Sequence, residues 1–219
     1  MTKINIRTIT SSILIDYFTD EVEIISQLEK VSQQIKIIEK TYPKIKTLRI
    51  SIIFKQKISI SSISGLINKL LFIKNESKKL SIRWMSLTLN SNQFENIENI
   101  PEIVRTVILK ISNVFVHLVV SENVKHVFDY YAKSIVEVSR LSQSGFENFR
   151  LGISNGETNN TPFFPYANFK DKLSYSVGLE TLKDLVDEFY INPDLDTSKK
   201  LLKYGKKFER SLIELNEFL

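Results

Sequence analysis

Apolar residues along this chain alternate between short β-branched runs and longer stretches with helical spacing. The first run, Ile4 to Thr10, predicts a strand because isoleucine and threonine favour the pleated conformation. After Asp20, valine, isoleucine and leucine recur every three or four residues, which predicts a helix. Asp20 precedes Glu23 by three positions, as in a capping box, and Pro43 ends the helix because proline cannot continue it.

The same alternation repeats through most of the chain. We predict five further strands, over 45–54, 80–89, 113–121, 149–154 and 173–179. The accompanying helices are predicted over 62–77, 101–111, 123–141, 180–190 and 197–218. This order favours an α/β fold with a mostly parallel six-stranded sheet, alternating helices and right-handed crossovers. Two architectures remain open: a doubly wound sheet and part of an α/β barrel.

Length and charge fit a single α/β domain over residues 1–219, with helix 197–218 as a candidate appended arm. The formal charge of +5 is modest, and lysines alternate with acids on the predicted helix faces. We therefore expect no nucleic-acid partner. No apolar run reaches membrane-spanning length and the first residues lack the apolar core of a secretory signal, so we expect a cytoplasmic protein without a membrane partner.

The chain contains no cysteine, which excludes disulfides, thiolate nucleophiles, iron–sulfur clusters and cysteine-based zinc sites. Neither glycine-rich phosphate-loop pattern occurs, which disfavours a nucleotide-binding Rossmann domain. We interpret His117 as a satisfied core residue and His126 as a surface residue, and no H-x-x-x-H pair exists. We therefore predict no metal and no cofactor, and the sequence leaves open whether the protein is an enzyme.

A basic residue directly follows an apolar one in five of the predicted strands. The pairs are Ile6-Arg7, Leu48-Arg49, Ile82-Arg83, Val116-His117 and Phe149-Arg150. A charged side chain inside an apolar strand needs an opposite charge, or its desolvation remains uncompensated. One interpretation is that acids on the helices pair with these residues or that some of them lie on sheet edges. The other is that several arginines converge on a phosphate or carboxylate, which the arginine fork binds well. Arg7 and Arg150 are the leading candidates because polar, loop-rich ends follow their strands.

A stiff aromatic loop, 155–168, follows the fifth predicted strand, and two of its prolines bracket Phe163 and Phe164. Loops at the carboxyl ends of strands build the ligand site in open α/β sheets and barrels. One interpretation makes this loop a wall of such a site, and the other makes it a plug over a core edge or a subunit contact. The candidate ligand-binding residues are Arg7, Thr8, Thr10, Arg150, Asn155, Phe163, Phe164 and Asn168, and no catalytic residue is assigned.

Three segments carry a resemblance to a known family: Ile6-Arg7-Thr8-Ile9-Thr10, Gly145-Phe-Glu-Asn-Phe-Arg150, and Thr161-Pro-Phe-Phe-Pro165 followed by Ser176-Val-Gly-Leu-Glu180. In this order they resemble domain-of-unknown-function family 711, an uncharacterised prokaryotic family. The resemblance implies part of the β/α barrel found in pyruvate formate-lyase and other glycyl-radical enzymes. It transfers no reaction to this chain.

Glycyl-radical enzymes need an active-site cysteine, so the absence of cysteine excludes radical catalysis here. Members of the resembled family are about twice as long, so the chain is expected to hold about half of the barrel. An exposed sheet edge invites pairing with another chain, and we therefore expect a homodimer or a partner subunit. The predicted function is binding of a small anionic metabolite near loop 155–168. The alternative is a non-catalytic interaction module that oligomerises to complete a barrel.

Overall fold

Six strands form one sheet in the structure, a computed structural model that describes residues 6–43, 45–120, 127–155, 175–179, 186, 190 and 196–218. The strands are β1 (Ile6–Ile15), β2 (Thr47–Phe54), β3 (Trp84–Asn90), β4 (Val114–Val120), β5 (Leu151–Asn155) and β6 (Tyr175–Leu179). Their spatial order is β5-β4-β3-β2-β1-β6. Strands β1 to β5 run parallel, and β6 pairs with β1 in the antiparallel direction.

The five described helices are α1 (Glu21–Thr41), α2 (Ile63–Lys79), α3 (Ile100–Lys110), α4 (Val127–Ser139) and α5 (Thr197–Phe218). Because β1 to β5 follow one another in space, right-handed crossovers place α1 to α4 on the same face of the sheet. Each of these helices contacts the next one along the chain. The sheet curls into a half-barrel with these helices outside, which confirms the predicted fold class. The doubly wound alternative is wrong, because the crossovers from β1 to β5 all run in one direction along the sheet and place α1 to α4 on one face instead of two.

The hydrophobic core lies between the outer face of the sheet and the helices. Alternate strand residues such as Ile13, Ile52 and Leu87 are fully buried there, and so are Leu28 and Leu70 of the helices. Each buried side chain of this size stabilises the fold by about 1.5–3 kcal/mol. This packing fixes which face of every strand points toward the helices.

Two predicted helix starts are confirmed. The Asp20 carboxylate accepts a hydrogen bond from the Glu23 backbone N–H at 2.8 Å, so Asp20 is the N-cap of α1. Pro101 occupies the first turn of α3, where its missing N–H leaves no bond unmade. The predicted start of the helix over 123–141 lies outside the described residues, as does nearly all of the helix predicted over 180–190.

Strand β1 is longer than predicted and β3 is shorter. Strand β1 continues beyond Thr10 to Ile15. Of the two serines in this extension, one points away from the helices and the other lies in the core, and neither interrupts the pairing with β2. The residues predicted to begin β3 instead close α2, where Ser81 adopts a left-handed conformation with φ 61°. The Ile82 and Ser81 N–H groups donate to the carbonyls of Ser77 and Lys78, which is a Schellman motif.

Strand β5 begins at Leu151 rather than Phe149. Residues Phe146–Arg150 form a 3-10 turn that follows Gly145, whose φ is 65°. The pair Phe149-Arg150 therefore lies in a turn before the strand. Arg150 is therefore a turn residue and not a strand residue.

Candidate anion-binding site

The sheet has a second face, here called the inner face, that points away from α1 to α4. Successive side chains of a strand point to opposite faces. Because Ile50, Ile52 and Phe54 belong to the core, Arg49 and Ser51 of β2 belong to the inner face. The inner face is therefore set by the core packing of each strand.

Strand register aligns the inner-face residues in rows across the sheet. The rows run Thr10, Arg49 and Trp84; then Ser12, Ser51, Ser86 and Phe115; then Leu14, Ile53, Thr88 and His117. Neighbours in a row are about 4.8 Å apart, and adjacent rows are about 6.6 Å apart. Five of these eleven residues carry a hydroxyl group, although the outer face of the same strands is almost entirely apolar.

Arg49 is a half-buried cation without a compensating acid in the described part of the chain. Its Nε atom is buried and has no hydrogen-bond partner there, and no described carboxylate forms an ion pair with it. Desolvation lowers the pKa of Arg49, and the positive charge of Arg7 lowers it further. Arginine stays protonated in proteins. The Arg49 side chain is therefore positively charged, and no acid in the described part of the chain neutralises it.

Ser51 and Ser86 lie next to each other in the row beside Arg49 and are fully buried. Neither hydroxyl oxygen has a hydrogen-bond partner among the described residues. A buried hydroxyl left without a partner costs about 1–3 kcal/mol. Arg49, Ser51 and Ser86 together thus offer three donor groups within one small area of the inner face.

Trp84 is the register neighbour of Arg49 on β3 and is half-buried. The Arg83 guanidinium lies 5.2 Å from the centroid of the indole ring, within cation–π distance. The Phe115 ring meets the indole edge-on, with 5.5 Å between centroids. Positive charge and an aromatic surface therefore occur together at this end of the inner face.

His117 lies on the same face, toward the carboxyl ends of the strands. It is almost fully buried, and its Nε2 atom is 2.9 Å from Ser154 Oγ, a hydrogen-bonding distance. Burial lowers the pKa of His117 to about 4, so the imidazole is neutral at neutral pH. The predicted burial of His117 agrees with this environment, although the side chain lies on the inner face and not in the core between the sheet and the helices.

The Arg150 side chain forms hydrogen bonds with backbone carbonyl groups of this chain. Its guanidinium donates to the carbonyls of Ile108 and Ile111, each at 2.8 Å, and so satisfies carbonyl groups at the end of α3. The same group donates to Glu147, three residues earlier, and forms an ion pair with it. These bonds occupy the guanidinium, so Arg150 is not part of the site that we describe.

The other predicted ligand residues fall into two groups. Thr8 and Thr10 are buried inner-face residues of β1, and Thr10 lies beside Arg49. Arg7 is exposed, and its positive charge lowers the pKa of Arg49. The backbone of Asn155 ends β5. Phe163, Phe164 and Asn168 lie outside the described residues, together with loop 155–168 beyond its first position.

Sequence reasoning did not single out Ser51 and Ser86 and ranked Arg49 below Arg7 and Arg150. A signal for these residues was present, because Arg49 and Ser51 alternate with three apolar residues of β2. This alternation assigns them to the face opposite the core. The register that brings Ser86 next to Ser51 could not be read from either strand alone.

Comparisons with family models, with curated proteins and with solved structures find no match to this chain. Among the described residues, no group of three or more histidine, aspartate and glutamate side chains is arranged to hold a metal ion. In that same part of the chain, no helix has the length and apolar character needed to cross a membrane.

Proposed function

We propose that the protein binds a small anionic metabolite on the inner face of the half-barrel, with Arg49 as the anchoring charge. The observation that carries this proposal is the half-buried Arg49 guanidinium, which has no described acid partner while Arg7 adds a second positive charge nearby. A bound phosphate or carboxylate would supply the missing negative charge and accept hydrogen bonds from Arg49, Ser51 and Ser86.

Titration with inorganic phosphate and with acetate, followed by thermal unfolding, tests this proposal. A ligand that binds only the folded state raises the melting temperature, by an amount that grows with its concentration. Arg49→Gln should abolish the rise, and Ser51→Ala should weaken binding by roughly tenfold, since one hydrogen bond to a charged group is lost. Sodium chloride at equal ionic strength controls for screening.

Arg140→Gln is the matched control because Arg140 is exposed just after α4 and pairs with Glu137 at 2.7 Å. This variant should respond to anions like the unaltered protein. The proposal fails if neither phosphate nor acetate raises the melting temperature above the chloride control, or if Arg49→Gln retains the full rise.

The resemblance to domain-of-unknown-function family 711 is consistent with the proposed site. A half-barrel supports membership of the uncharacterised family named above, because the resemblance implies part of a β/α barrel. The absence of cysteine means that the bound metabolite would not undergo glycyl-radical chemistry. Arg7, Thr8 and Thr10 of the resembling first segment would border the site on β1.

A second candidate function is assembly with another copy of this chain, and the edge of the sheet favours it. Strand β5 pairs only with β4 in the described part of the sheet and carries no charged residue. Beside it, Phe146 and Phe149 are 65% and 74% exposed with ring centroids 5.3 Å apart, and Ile153 is 38% exposed. An uncharged edge strand next to exposed phenylalanines is suited to pairing with the same edge of a second copy.

The molar mass in solution tests this assembly. Light scattering should give twice the mass of the chain, and Phe149→Ser should shift the mass toward the monomer. Phe18→Ser is the matched control, since Phe18 is 85% exposed and follows β1, far from β5 in strand order. A monomeric mass for the unaltered protein, or equal effects of the two variants, would contradict the assembly.

A further inference from the structure

We infer that the anion bound at Arg49 carries a planar ring that packs on Trp84. This inference rests on the proposed anion site and narrows the class of its ligand. Trp84 and Arg49 are register neighbours on adjacent strands, about 4.8 Å apart. A charged group at Arg49 thus brings any attached ring to the indole.

Two features make Trp84 suitable for such a contact. The side chain is half-buried, so part of its surface stays accessible, whereas Ser51 and Ser86 of the adjacent row are fully buried. Its orientation is held by the edge-on contact with Phe115 at 5.5 Å. Aromatic pairs in this range gain energy beyond simple burial, which favours a planar ring over an aliphatic group of equal size.

The positive charges around Trp84 also favour a ligand with an acidic group attached to its ring. Arg83 lies over the indole ring and Arg49 lies beside it, so the aromatic surface is bordered by two cations. An acidic group directly attached to the ring would reach Arg49 while the ring remains on the indole. The chemical class is therefore an aromatic carboxylate or an aryl phosphate.

Trp84 is the single tryptophan of the chain, so its fluorescence reports on this position alone. We would titrate the full chain with acetate, cyclohexanecarboxylate and benzoate, which share one carboxylate and differ in the attached group. Benzoate should bind about tenfold more tightly than either other acid, with a change in Trp84 fluorescence. Phosphate and phenyl phosphate should show the same preference for the ring.

Trp84→Leu, followed by calorimetry because its fluorescence is lost, should bind acetate unchanged and benzoate no better than acetate. Phe115→Leu keeps an apolar side chain and should reduce the benzoate preference while leaving acetate binding intact.

The outcomes separate the two proposals. If neither phosphate nor acetate binds, the proposed anion site itself is wrong. If acetate binds but benzoate binds no more tightly than acetate or cyclohexanecarboxylate, the anion site stands and the planar ring is wrong. If Trp84→Leu keeps the benzoate preference, the ring packs elsewhere and this inference is overturned.

Discussion

We expect the inner-face Arg49 to lower the stability of the ligand-free protein. A half-buried guanidinium with a buried Nε and a like charge nearby is desolvated without compensation. We expect Arg49→Met, which keeps most of the aliphatic stem, to raise the free energy of unfolding by about 0.5–1 kcal/mol in urea denaturation. Arg140→Met removes an exposed paired arginine and should leave stability nearly unchanged. A clear loss of stability in Arg49→Met would show that the charge is compensated in the folded protein.

His117 makes stability depend on pH. Burial lowers its pKa to about 4 in the folded state, against 6.5 for an unperturbed imidazole. Between these two values the unfolded chain binds a proton that the folded chain does not bind, so stability falls as the pH falls from 6.5 to 4. The loss attributable to His117 is at most about 3 kcal/mol, and above pH 6.5 the contribution is constant.

Urea unfolding of the unaltered protein and of His117→Gln across this pH range isolates that contribution. Glutamine does not titrate, and its amide can hydrogen-bond to Ser154. The difference in unfolding free energy between the two proteins should shrink or reverse as the pH falls. Parallel pH profiles would mean that His117 keeps its ordinary pKa when folded.

At the scale of single residues, the sequence predicted that basic strand residues are unusual but not which of them matter. Arg49 and Arg150 look alike in the sequence, since each follows an apolar residue in a predicted strand. The fold separates them, because a 3-10 turn brings Arg150 to the end of α3. Such a tertiary contact over about forty residues leaves no local signal in the chain.

The end of α2 contains a conformational strain that one substitution can remove. Ser81 holds φ at 61°, a left-handed conformation that costs a non-glycine residue about 1–2 kcal/mol. Ser81→Gly should therefore raise the unfolding free energy by about 0.5–1 kcal/mol, after the greater flexibility of glycine in the unfolded chain is counted. Gly145→Ala is the reverse test, since Gly145 has φ 65°, and it should lower stability. Equal effects of both variants in thermal unfolding would refute this explanation.

The pairing of β1 with β6 requires a glycine. Gly178 lies opposite Thr8, and a Cβ atom at position 178 would overlap the Thr8 Oγ1 atom. We expect Gly178→Ala to lower the unfolding free energy by about 1–3 kcal/mol through overpacking. Adding Thr8→Ala should restore much of the loss, because it removes the overlapping oxygen. Additive effects of the two substitutions in a double-mutant cycle would exclude a direct clash.

Helices and strands with a regular spacing of apolar residues could be predicted from the sequence. The residues at which these elements begin and end could not be predicted in the same way. Helix α1 was predicted from its apolar spacing and its Asp20 cap, and both are present. The predicted starts of β3 and β5 were wrong because Ser81 and Gly145 turn the chain just before each strand. An apolar run does not reveal whether its first residues pair with a neighbouring strand or close a preceding turn.

At the scale of the whole molecule, strand order determines which face of the sheet lies away from the helices and which strands lie at its edges. The sequence predicted alternating strands and helices, which fits two architectures equally. Only the order β5-β4-β3-β2-β1-β6 places the four crossover helices together and leaves the hydroxyl-rich face opposite them. Strand order arises from contacts between segments far apart in the chain, so it could not be read from local patterns.

The same strand order predicts the geometry of the assembly proposed above. If two copies pair antiparallel through β5 about a twofold axis at its central residue, Ile153 lies opposite Ile153 of the second copy. Directly opposite residues in such a pair have Cβ atoms about 4.5–5.5 Å apart, near the distance that a disulfide spans.

The chain has no other cysteine, so Ile153→Cys should form a covalent dimer under mild oxidation. Phe18→Cys, equally free of competing thiols and more exposed, should cross-link only at the rate of random collisions, and equal cross-linking of both variants would exclude this interface.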